Sequence, residues 1–305
     1  MLLMGLPAVV LFILSLGGYL SSEAIKGIYG KQNAECEEAS YKFTATVSIF
    51  CALATVLLSG FSFPFSWFSL LLGCLFGVAV MGCICASALA IQVGPWSYTI
   101  VMVSLAIVIP TFSGAIFWDE PIGWLDFVGL GLMVVCFVLS VQKKDEDKKG
   151  NLKWLLLSVL AMFCMAAIGI MQKIHQTSIY KGEVVIFLTT AFLIAGMIAY
   201  ALYFIQKKRN GKRCKKHSVY EQATKQKSKK RNMIVPLAGI CMALNHNINL
   251  YLAGALDSVV FFPIMCVCEL IGVTLTSLLF FKEKMIMKQW IGLLCGVVAV
   301  ILLCI

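Results

Sequence analysis

The chain has 305 residues, of which 60% are apolar and 13% are charged. A soluble globular domain has about 45–50% apolar and about 25% charged residues, so this composition excludes a water-soluble protein. The apolar residues fall into ten runs of about 17–26 residues, and a helix needs about 20 residues to cross a bilayer core. The sequence therefore predicts an all-α membrane protein that leaves no room for a soluble catalytic domain.

The net charge of +10 is concentrated in one segment. Residues 206–231 carry twelve Lys or Arg and one acid, whereas the rest of the chain is close to neutral. A single basic loop of this kind is typical of a cytoplasmic loop that faces anionic lipid headgroups. We therefore expect membrane lipid and a small-molecule substrate as partners, and no nucleic acid.

The ten apolar runs predict ten transmembrane helices separated by short polar segments. They lie at residues 2–20, 43–59, 66–91, 96–118, 122–141, 152–175, 184–205, 233–255, 258–281 and 285–305. A charged linker at 143–151 divides them into two sets of five. The predicted organisation is a first repeat at 1–142 and a second at 152–305, which contains the basic loop.

The two halves carry the same signals in the same order. At an offset of 163 residues, Glu120 corresponds to Glu283 and Gly129 corresponds to Gly292. A repeat with five crossings must re-enter the membrane from the opposite side, so the second copy is inverted relative to the first. Inverted repeats are the usual construction of secondary transporters, because the symmetry gives one scaffold two conformations that open to opposite sides.

The basic residues predict the orientation. Of the 25 Lys and Arg, 23 fall on the side of the loops that follow odd-numbered helices, and only Lys173 and Lys181 fall on the other side. Loops rich in Lys and Arg stay in the cytoplasm. We therefore expect a multi-pass protein of the cell membrane with both termini outside.

Segments 95–129 and 257–292 each place a Glu in the short turn after the fourth helix of a half and a Gly nine residues later. This pattern resembles the EamA-type transporters of the drug/metabolite transporter superfamily, over essentially the whole chain. The resemblance implies ten helices in two inverted five-helix repeats, a central substrate cavity, and export or uptake of small metabolites. Many members carry a basic loop between helices 2 and 3 and have cytoplasmic termini. Here segment 59–67 is uncharged and the basic loop follows helix 7.

One acidic residue falls near the centre of a predicted span. Glu269 lies about twelve residues from either end of helix 9, where an ionised carboxylate costs about 2.5 kcal/mol or more. It therefore needs a partner, a cavity or a proton. Glu269 is the leading candidate for coupling to protons or for binding a cationic group. The alternative is a protonated carboxyl that serves helix packing alone.

Helix 8 concentrates polar side chains at Asn245, His246, Asn247, Asn249 and Tyr251. Asn245 and Asn249 share one face at a spacing of four, and His246 adjoins Asn249 at a spacing of three. A polar stripe of this kind can line a substrate cavity. The alternative is hydrogen bonding between helices, worth about 0.6 kcal/mol per contact on average.

On helix 9, Glu269, Gly272 and Thr276 fall on a common face. Pro263 removes a backbone hydrogen bond one and a half turns before Glu269, which allows a kink. Such a kink is either a hinge or a static feature of packing, and both interpretations remain open.

The ends of four predicted helices carry charged residues that repeat between the halves. Lys31 and Lys173 correspond at an offset of 142, at the ends of helices 1 and 6, and Glu120 and Glu283 follow helices 4 and 9. Their recurrence favours a structural or gating role. The ordinary alternative for the lysines is snorkelling to the membrane surface.

Together these features predict a secondary transporter, not an enzyme, that moves an amino acid, amine or drug-like compound by alternating access. Proton coupling follows if Glu269 exchanges a proton for substrate. No phosphate loop occurs, and we expect no cofactor and no metal site. The candidate substrate-binding or coupling residues are Asn245, His246, Asn249, Tyr251, Glu269 and Thr276.

Two other functions remain open from the sequence. One is an intramembrane enzyme or flippase that acts on a lipid-linked substrate, with Glu269 and His246 as acid and base. The other is a membrane scaffold whose partner docks on the 206–231 loop. Association into a homodimer is also open.

Overall fold

The structure is a computed structural model, which describes residues 7–32, 37–61, 63–93, 99, 102–140, 152–210, 234–281 and 287–303. Nearly all of these residues are helical, and the described ranges contain no β-strand. The prediction of an all-α protein is confirmed for this part of the chain. Most of the basic loop, the charged linker and Glu283 lie outside the described residues.

Ten α-helices can be bounded within the described residues, and each overlaps one of the ten predicted segments, while ten membrane spans stay a prediction. They are α1 (Ala8–Gln32), α2 (Glu37–Leu58), α3 (Trp67–Val93), α4 (Val108–Phe117), α5 (Trp124–Ser140), α6 (Leu152–Thr177), α7 (Val184–Asn210), α8 (Val235–Ala255), α9 (Ser258–Phe281) and α10 (Met287–Leu303). Six of them, α1, α2, α3, α6, α7 and α9, are long and apolar enough to cross a membrane. These six helices are consistent with a membrane protein.

Several helices extend beyond the apolar runs that predict them. Helix α1 continues to Gln32, where the prediction ended at residue 20, and α2 begins at Glu37, where the prediction began at residue 43. The predicted limits were wrong at these ends because hydropathy marks only the part of a helix that suits hydrocarbon. Backbone hydrogen bonding continues into a polar zone where charged side chains are tolerated.

Two of the prolines in the helices, Pro110 and Pro263, have different local consequences. Pro110 lies in the first turn of α4, directly after a 3-10 turn at Leu105–Ile107. Residues 102–104 before this turn are already α-helical. A proline has no N–H to donate to the carbonyl oxygen four residues earlier, so the α-helical hydrogen-bonding pattern is interrupted just before it. By contrast, α9 is continuous through Pro263, which is buried.

The helices group into two compact units. Unit 1 comprises residues 1–78 and 182–249, and unit 2 comprises residues 79–181 and 250–305. Each unit therefore takes part of its chain from each predicted repeat, and α3 and α8 contribute residues to both units. The division into repeats at 1–142 and 152–305 stays a prediction.

In unit 1 the most extensive helix contact joins α2 and α7. Helix α3 also packs closely on α7 through Gly73 and Gly77, a spacing that places two small residues on one face. A Cβ at Gly73 would meet the Phe187 carbonyl oxygen at 2.6 Å, and one at Gly77 would meet the Ala191 carbonyl oxygen. Small residues at this spacing let helix backbones approach each other, which drives association in lipid.

In unit 2 the most extensive contact joins α5 and α10. A Cβ at Gly129 of α5 would meet the Ala299 carbonyl oxygen of α10 at 3.3 Å, and one at Gly296 of α10 would meet the Cys136 sulfur of α5 at 2.8 Å. Helix α9 packs against the same pair through Val259 and Val267. The buried apolar cluster of this unit comprises Leu130, Met133, Phe137, Val259, Val267, Ala299 and Leu303.

We expect Gly77→Ala to lower the free energy of unfolding by about 1–3 kcal/mol, because the added methyl group overpacks the contact with α7. Gly17→Ala is the matched control, since a Cβ at Gly17 of α1 meets no heavy atom within 4 Å. Thermal unfolding of both variants in detergent measures the difference. Equal unfolding temperatures for the two variants would contradict the close approach of α3 and α7.

Candidate functional site

The centre of the candidate site is a buried ion pair in unit 2. The Lys173 Nζ lies 2.6 Å from the Glu120 Oε1, and the side chains are only 5% and 7% exposed. Lys173 lies one turn before the end of α6, and Glu120 lies in the short segment between α4 and α5. Two buried charges are stable only when their geometry is good and their remaining hydrogen-bonding positions are satisfied.

Both charges of the pair also bind the turn between α8 and α9. The Ser258 backbone N–H donates to the Glu120 Oε2 at 2.6 Å, and the Ser258 hydroxyl donates to the Oε1 at 3.3 Å. The Lys173 Nζ donates to the Leu256 carbonyl oxygen at 2.8 Å.

The charges match the electrostatics of the two helix ends. Leu256 directly follows α8, whose C-terminal end carries partial negative charge, and Ser258 begins α9, whose N-terminal end carries partial positive charge. The cation therefore lies at the negative end of one helix and the anion at the positive end of the next.

A glycine makes room for the carboxylate of this pair. A Cβ at Gly114, near the end of α4, would collide with the Glu120 carboxylate and would lie 2.7 Å from the Ser258 Cβ. One turn after Lys173, the Thr177 hydroxyl donates to the Lys173 carbonyl oxygen at 2.9 Å and accepts from the Trp118 indole N–H at 3.0 Å. The segment after α4 is thus attached to α6 at two points.

The burial of Lys173 decides between the two roles that the sequence left open for it. A snorkelling lysine would extend its ammonium group to the polar zone, whereas this one is buried against Glu120 and a backbone carbonyl. The snorkelling alternative is therefore wrong for Lys173. Its counterpart Lys31 lies in the last turn of α1, and its side chain is not among those described; Glu283 lies outside the described residues.

The asparagine stripe of α8 hydrogen-bonds to α1 within unit 1. Asn245, which is 3% exposed, donates through its Nδ2 to the Ser15 carbonyl oxygen at 3.1 Å and to the Ser15 hydroxyl at 3.0 Å. The Ser15 hydroxyl donates in turn to the Asn249 Oδ1 at 2.6 Å. These bonds between α8 and α1 are of the kind that the helix-packing interpretation of the stripe expects. That Asn245 and Asn249 line a substrate cavity stays a prediction.

His246 has an apolar environment in unit 1. Its ring lies 4.9 Å from the Phe192 ring of α7 and 6.5 Å from the Phe76 ring of α3, measured between centroids. Its Nδ1 is buried and has no hydrogen-bond partner. Among the candidate residues of unit 1 that the structure describes, His246 is thus the one with a buried side-chain atom that lacks a hydrogen-bond partner.

The three other candidates belong to unit 2. Glu269 is half-buried on α9, and its neighbours on the same face, Met265 and Gly272, are buried. It lies about 120° around the helix from the exposed Leu275, at about 100° per residue. The Thr276 hydroxyl donates to the Gly272 carbonyl oxygen of its own helix at 2.8 Å.

The six predicted site residues are thus distributed over both units. Asn245, His246 and Asn249 belong to unit 1, and Tyr251, Glu269 and Thr276 belong to unit 2. Tyr251 is half-buried near the end of α8. The structure brings Asn245 and Asn249 together through Ser15 and leaves His246 in the aromatic environment of Phe76 and Phe192.

Three residues of these sites were missed by the sequence analysis. Ser15 is a single hydroxyl in an apolar helix, which carries no signal of its own. Ser258 follows Asp257 at the start of a predicted helix, a pattern that indicates a cap but not a partner on another helix. Phe192 is one of the many aromatic residues in the apolar runs.

Comparison with known proteins supports the fold alone. No family model matches the chain, and no curated protein is similar to it in sequence. A solved structure described only as the crystal structure of a protein is similar to it, with a TM-score of 0.65 and 10% sequence identity. The match covers 95% of this chain and 98% of that chain. A similar fold therefore occurs in an experimental structure.

Breaking the buried ion pair is expected to destabilise the protein strongly. Lys173→Met should cost about 3–5 kcal/mol of unfolding free energy, because it leaves the Glu120 carboxylate buried without its counter-charge. Adding Glu120→Gln to that variant should restore part of the loss. Urea or thermal unfolding of the two single variants and the double variant measures the coupling.

The matched control is an exposed ion pair of α1. The Lys26 Nζ lies 2.9 Å from the Glu23 Oε1, and the two side chains are 61% and 29% exposed. Lys26→Met should cost about 0–1 kcal/mol, as is usual for surface pairs. If the losses of unfolding free energy in the two single variants simply add in the double variant, the coupling that we infer between Glu120 and Lys173 is wrong.

Proposed function

We propose that this protein is a secondary transporter of the EamA type, located in the cell membrane. Its ten helices form two inverted five-helix repeats, and it moves a small metabolite such as an amino acid, amine or drug-like compound by alternating access. The observation that carries this proposal is the buried Glu120–Lys173 pair, which joins the first repeat to the second at one end of their helices.

The pairing of helices supports the repeat. The three contacts α2 with α7, α4 with α9 and α5 with α10 each join a helix to its counterpart in the other predicted repeat. In a pair of repeats related by a two-fold axis, elements near the axis contact their own counterparts.

In unit 2 the C-terminal ends of α4, α6 and α8 lie close together, which supports a topology in which successive helices cross the membrane in opposite directions. Glu120 follows α4, Lys173 lies at the end of α6, and Leu256 follows α8. If every helix crosses once, the ends of even-numbered helices emerge on the same face. These ends meet through hydrogen bonds and an ion pair, as that topology requires. In the predicted orientation this face is the outer one.

The chemistry of the pair suits a closure that opens during transport. The two charges are stabilised by each other and by the ends of α8 and α9. Separating the α8–α9 turn from the pair therefore exposes the carboxylate, the ammonium group, the Ser258 N–H and the Leu256 carbonyl together. Water can then solvate the charges, which limits the cost of opening. A closed state with the pair intact and an open state with a hydrated pair are the two conformations that alternating access needs.

Counterflow in proteoliposomes tests transport directly. Liposomes loaded with an unlabelled mixture of amino acids and amines should accumulate individual labelled members of that mixture above the level of protein-free liposomes. Lys173→Met should lower this exchange on the order of tenfold or more, since a bias of about 1.4 kcal/mol between two states is tenfold. The exposed-site variant Lys26→Met should retain wild-type exchange.

Absence of exchange for every compound with correctly folded protein would overturn transport of this substrate class. If the same preparation instead changed added lipids chemically, as detected by mass spectrometry, the intramembrane enzyme would replace the transporter. Wild-type exchange by Lys173→Met would remove the closure role of the pair.

Glu269 is proposed as the proton-coupling residue. With coupling through this carboxyl, Glu269→Gln should abolish the dependence of counterflow on pH, because glutamine has the same shape and carries no titratable proton. The measurement is the exchange rate of the wild type and the variant over a range of about pH 5 to 8. An unchanged pH profile in Glu269→Gln would assign coupling elsewhere.

A further inference from the structure

The turn between α2 and α3 exposes a group of aromatic side chains. We call residues 60–68 the aromatic segment, and the structure describes all of them except Ser62. Five of its rings are 36–71% exposed: Phe61, Phe63, Phe65, Trp67 and Phe68. The Phe65 and Trp67 rings lie 5.6 Å apart between centroids. Exposed apolar side chains that lie together mark an interaction surface, whereas single ones need no explanation.

The charge pattern separates this turn from a loop that stays in water. No Asp, Glu, Lys, Arg or His occurs between Lys42 and Asp119. The segment between α6 and α7, by contrast, carries Lys181 and Glu183 beside its exposed Ile179. Charged side chains keep a loop in water because removing them from water is costly. The aromatic segment has no such side chain.

The exposed rings continue along the chain into exposed apolar residues of the neighbouring helices. Leu57 and Leu58 end α2 and are exposed, and so is Leu71 near the start of α3. Both helices are long and apolar enough to cross a membrane. In membrane-spanning helices these leucines contact lipid, so the aromatic segment lies next to a lipid-facing surface on both sides.

Phe61 has a backbone conformation that packing within the protein does not explain. Its φ is 62°, directly after Gly60 at 65°, so both residues lie in the left-handed region. A bulky residue is rarely found there, because its Cβ comes too close to a carbonyl oxygen. The ring is 66% exposed, so contacts within the protein do little to offset this strain. Burial of the ring in an apolar phase outside the protein would offset it.

The polar side chain at the end of the segment is turned toward the protein. The Ser66 hydroxyl donates to the Glu183 carboxylate, directly before α7, and accepts from the Ser69 backbone N–H at 3.2 Å. Ser66 is half-buried and Ser69 is buried. The segment is thus attached to unit 1 through Ser66 and leaves its rings exposed.

Two constraints fix the depth at which such a segment is stable in a membrane. Residues 63–66 are not helical, and irregular backbone does not occur in contact with hydrocarbon, because its N–H and C=O groups find no partner there. Aromatic rings, on the other hand, gain free energy when they leave water. The boundary between the headgroups and the hydrocarbon satisfies both constraints, and tryptophan is enriched there.

We infer that the aromatic segment is a membrane contact whose rings insert into the boundary between the lipid headgroups and the hydrocarbon. The inserted rings are those of Phe61, Phe63, Phe65 and Trp67. Lipid occupies this surface, and neither another protein nor a second copy of the chain does. The inference shares the membrane location of the proposed function and needs no transport.

Spin labels in proteoliposomes measure the depth of the segment. The labelled variants are Phe61→Cys, Phe63→Cys and Phe65→Cys, each in a background without native cysteines. Oxygen concentrates in hydrocarbon and a nickel chelate stays in water, so the ratio of their collision rates with the label reports immersion. Leu71→Cys on α3 is the lipid reference. Ile179→Cys is the water reference, because Ile179 is 88% exposed on a segment that carries charges.

The ratio of oxygen to nickel collisions at the three positions should exceed that at Ile179 several-fold and approach that at Leu71. A ratio as low as that at Ile179 would place the segment in water and overturn the inference. Low collision rates with both reagents would show that protein covers the rings, and would overturn it in favour of a second copy or another chain. Each label has its own variant, so one that fails to fold leaves the other two.

A charged substitution tests whether the rings determine this depth. With the label at Phe63, Phe65→Glu should lower the collision ratio, because the carboxylate has to stay hydrated. Ile179→Glu is the matched control and should leave the ratio at Phe63 unchanged. An unchanged ratio in folded Phe65→Glu would contradict insertion of the rings, and unfolding temperatures check that each variant is folded.

Discussion

The burial of two opposite charges between helix ends is the constraint on which this account depends. Removing an ammonium and a carboxylate from water costs several kcal/mol for each ion, and their attraction alone does not reliably repay it. Here the Ser258 amide and hydroxyl and the Leu256 carbonyl complete the coordination of Glu120 and Lys173. The partial charges at the ends of α8 and α9 act in the same sense.

This arrangement has a consequence for the motion of the protein. The groups that stabilise the pair come from four different elements: the segment after α4, the end of α6 and both sides of the α8–α9 turn. A displacement of the turn would remove several interactions at once. The closure that we propose requires water to supply replacement partners for these charges in the open state.

The helices could be predicted from the sequence because apolar runs of sufficient length have few alternatives in lipid. The charged ends of α1 and α2 could not be predicted in this way. Hydropathy identifies the part of a helix that lies in the hydrocarbon core of the bilayer, and the backbone hydrogen bonds continue beyond that part. Glu120 and Lys173 were found as recurring charges, but their contact could not be predicted, because their separation along the chain gives no distance in space.

The polar stripe of α8 illustrates a second limit of sequence reasoning. Periodicity places Asn245 and Asn249 on one face, and the structure agrees, but the partner is a single serine of α1 that carries no pattern.

The most direct measurement of the closure is a spin-label distance across it, in proteoliposomes and in a background without native cysteines. Labels at Phe117 and Asp257, two exposed positions beside the pair, report the separation of the segment after α4 from the α8–α9 turn. The account predicts a short and a long distance in the wild type and loss of the short one in Lys173→Met. A single short distance that Lys173→Met leaves unchanged would contradict it.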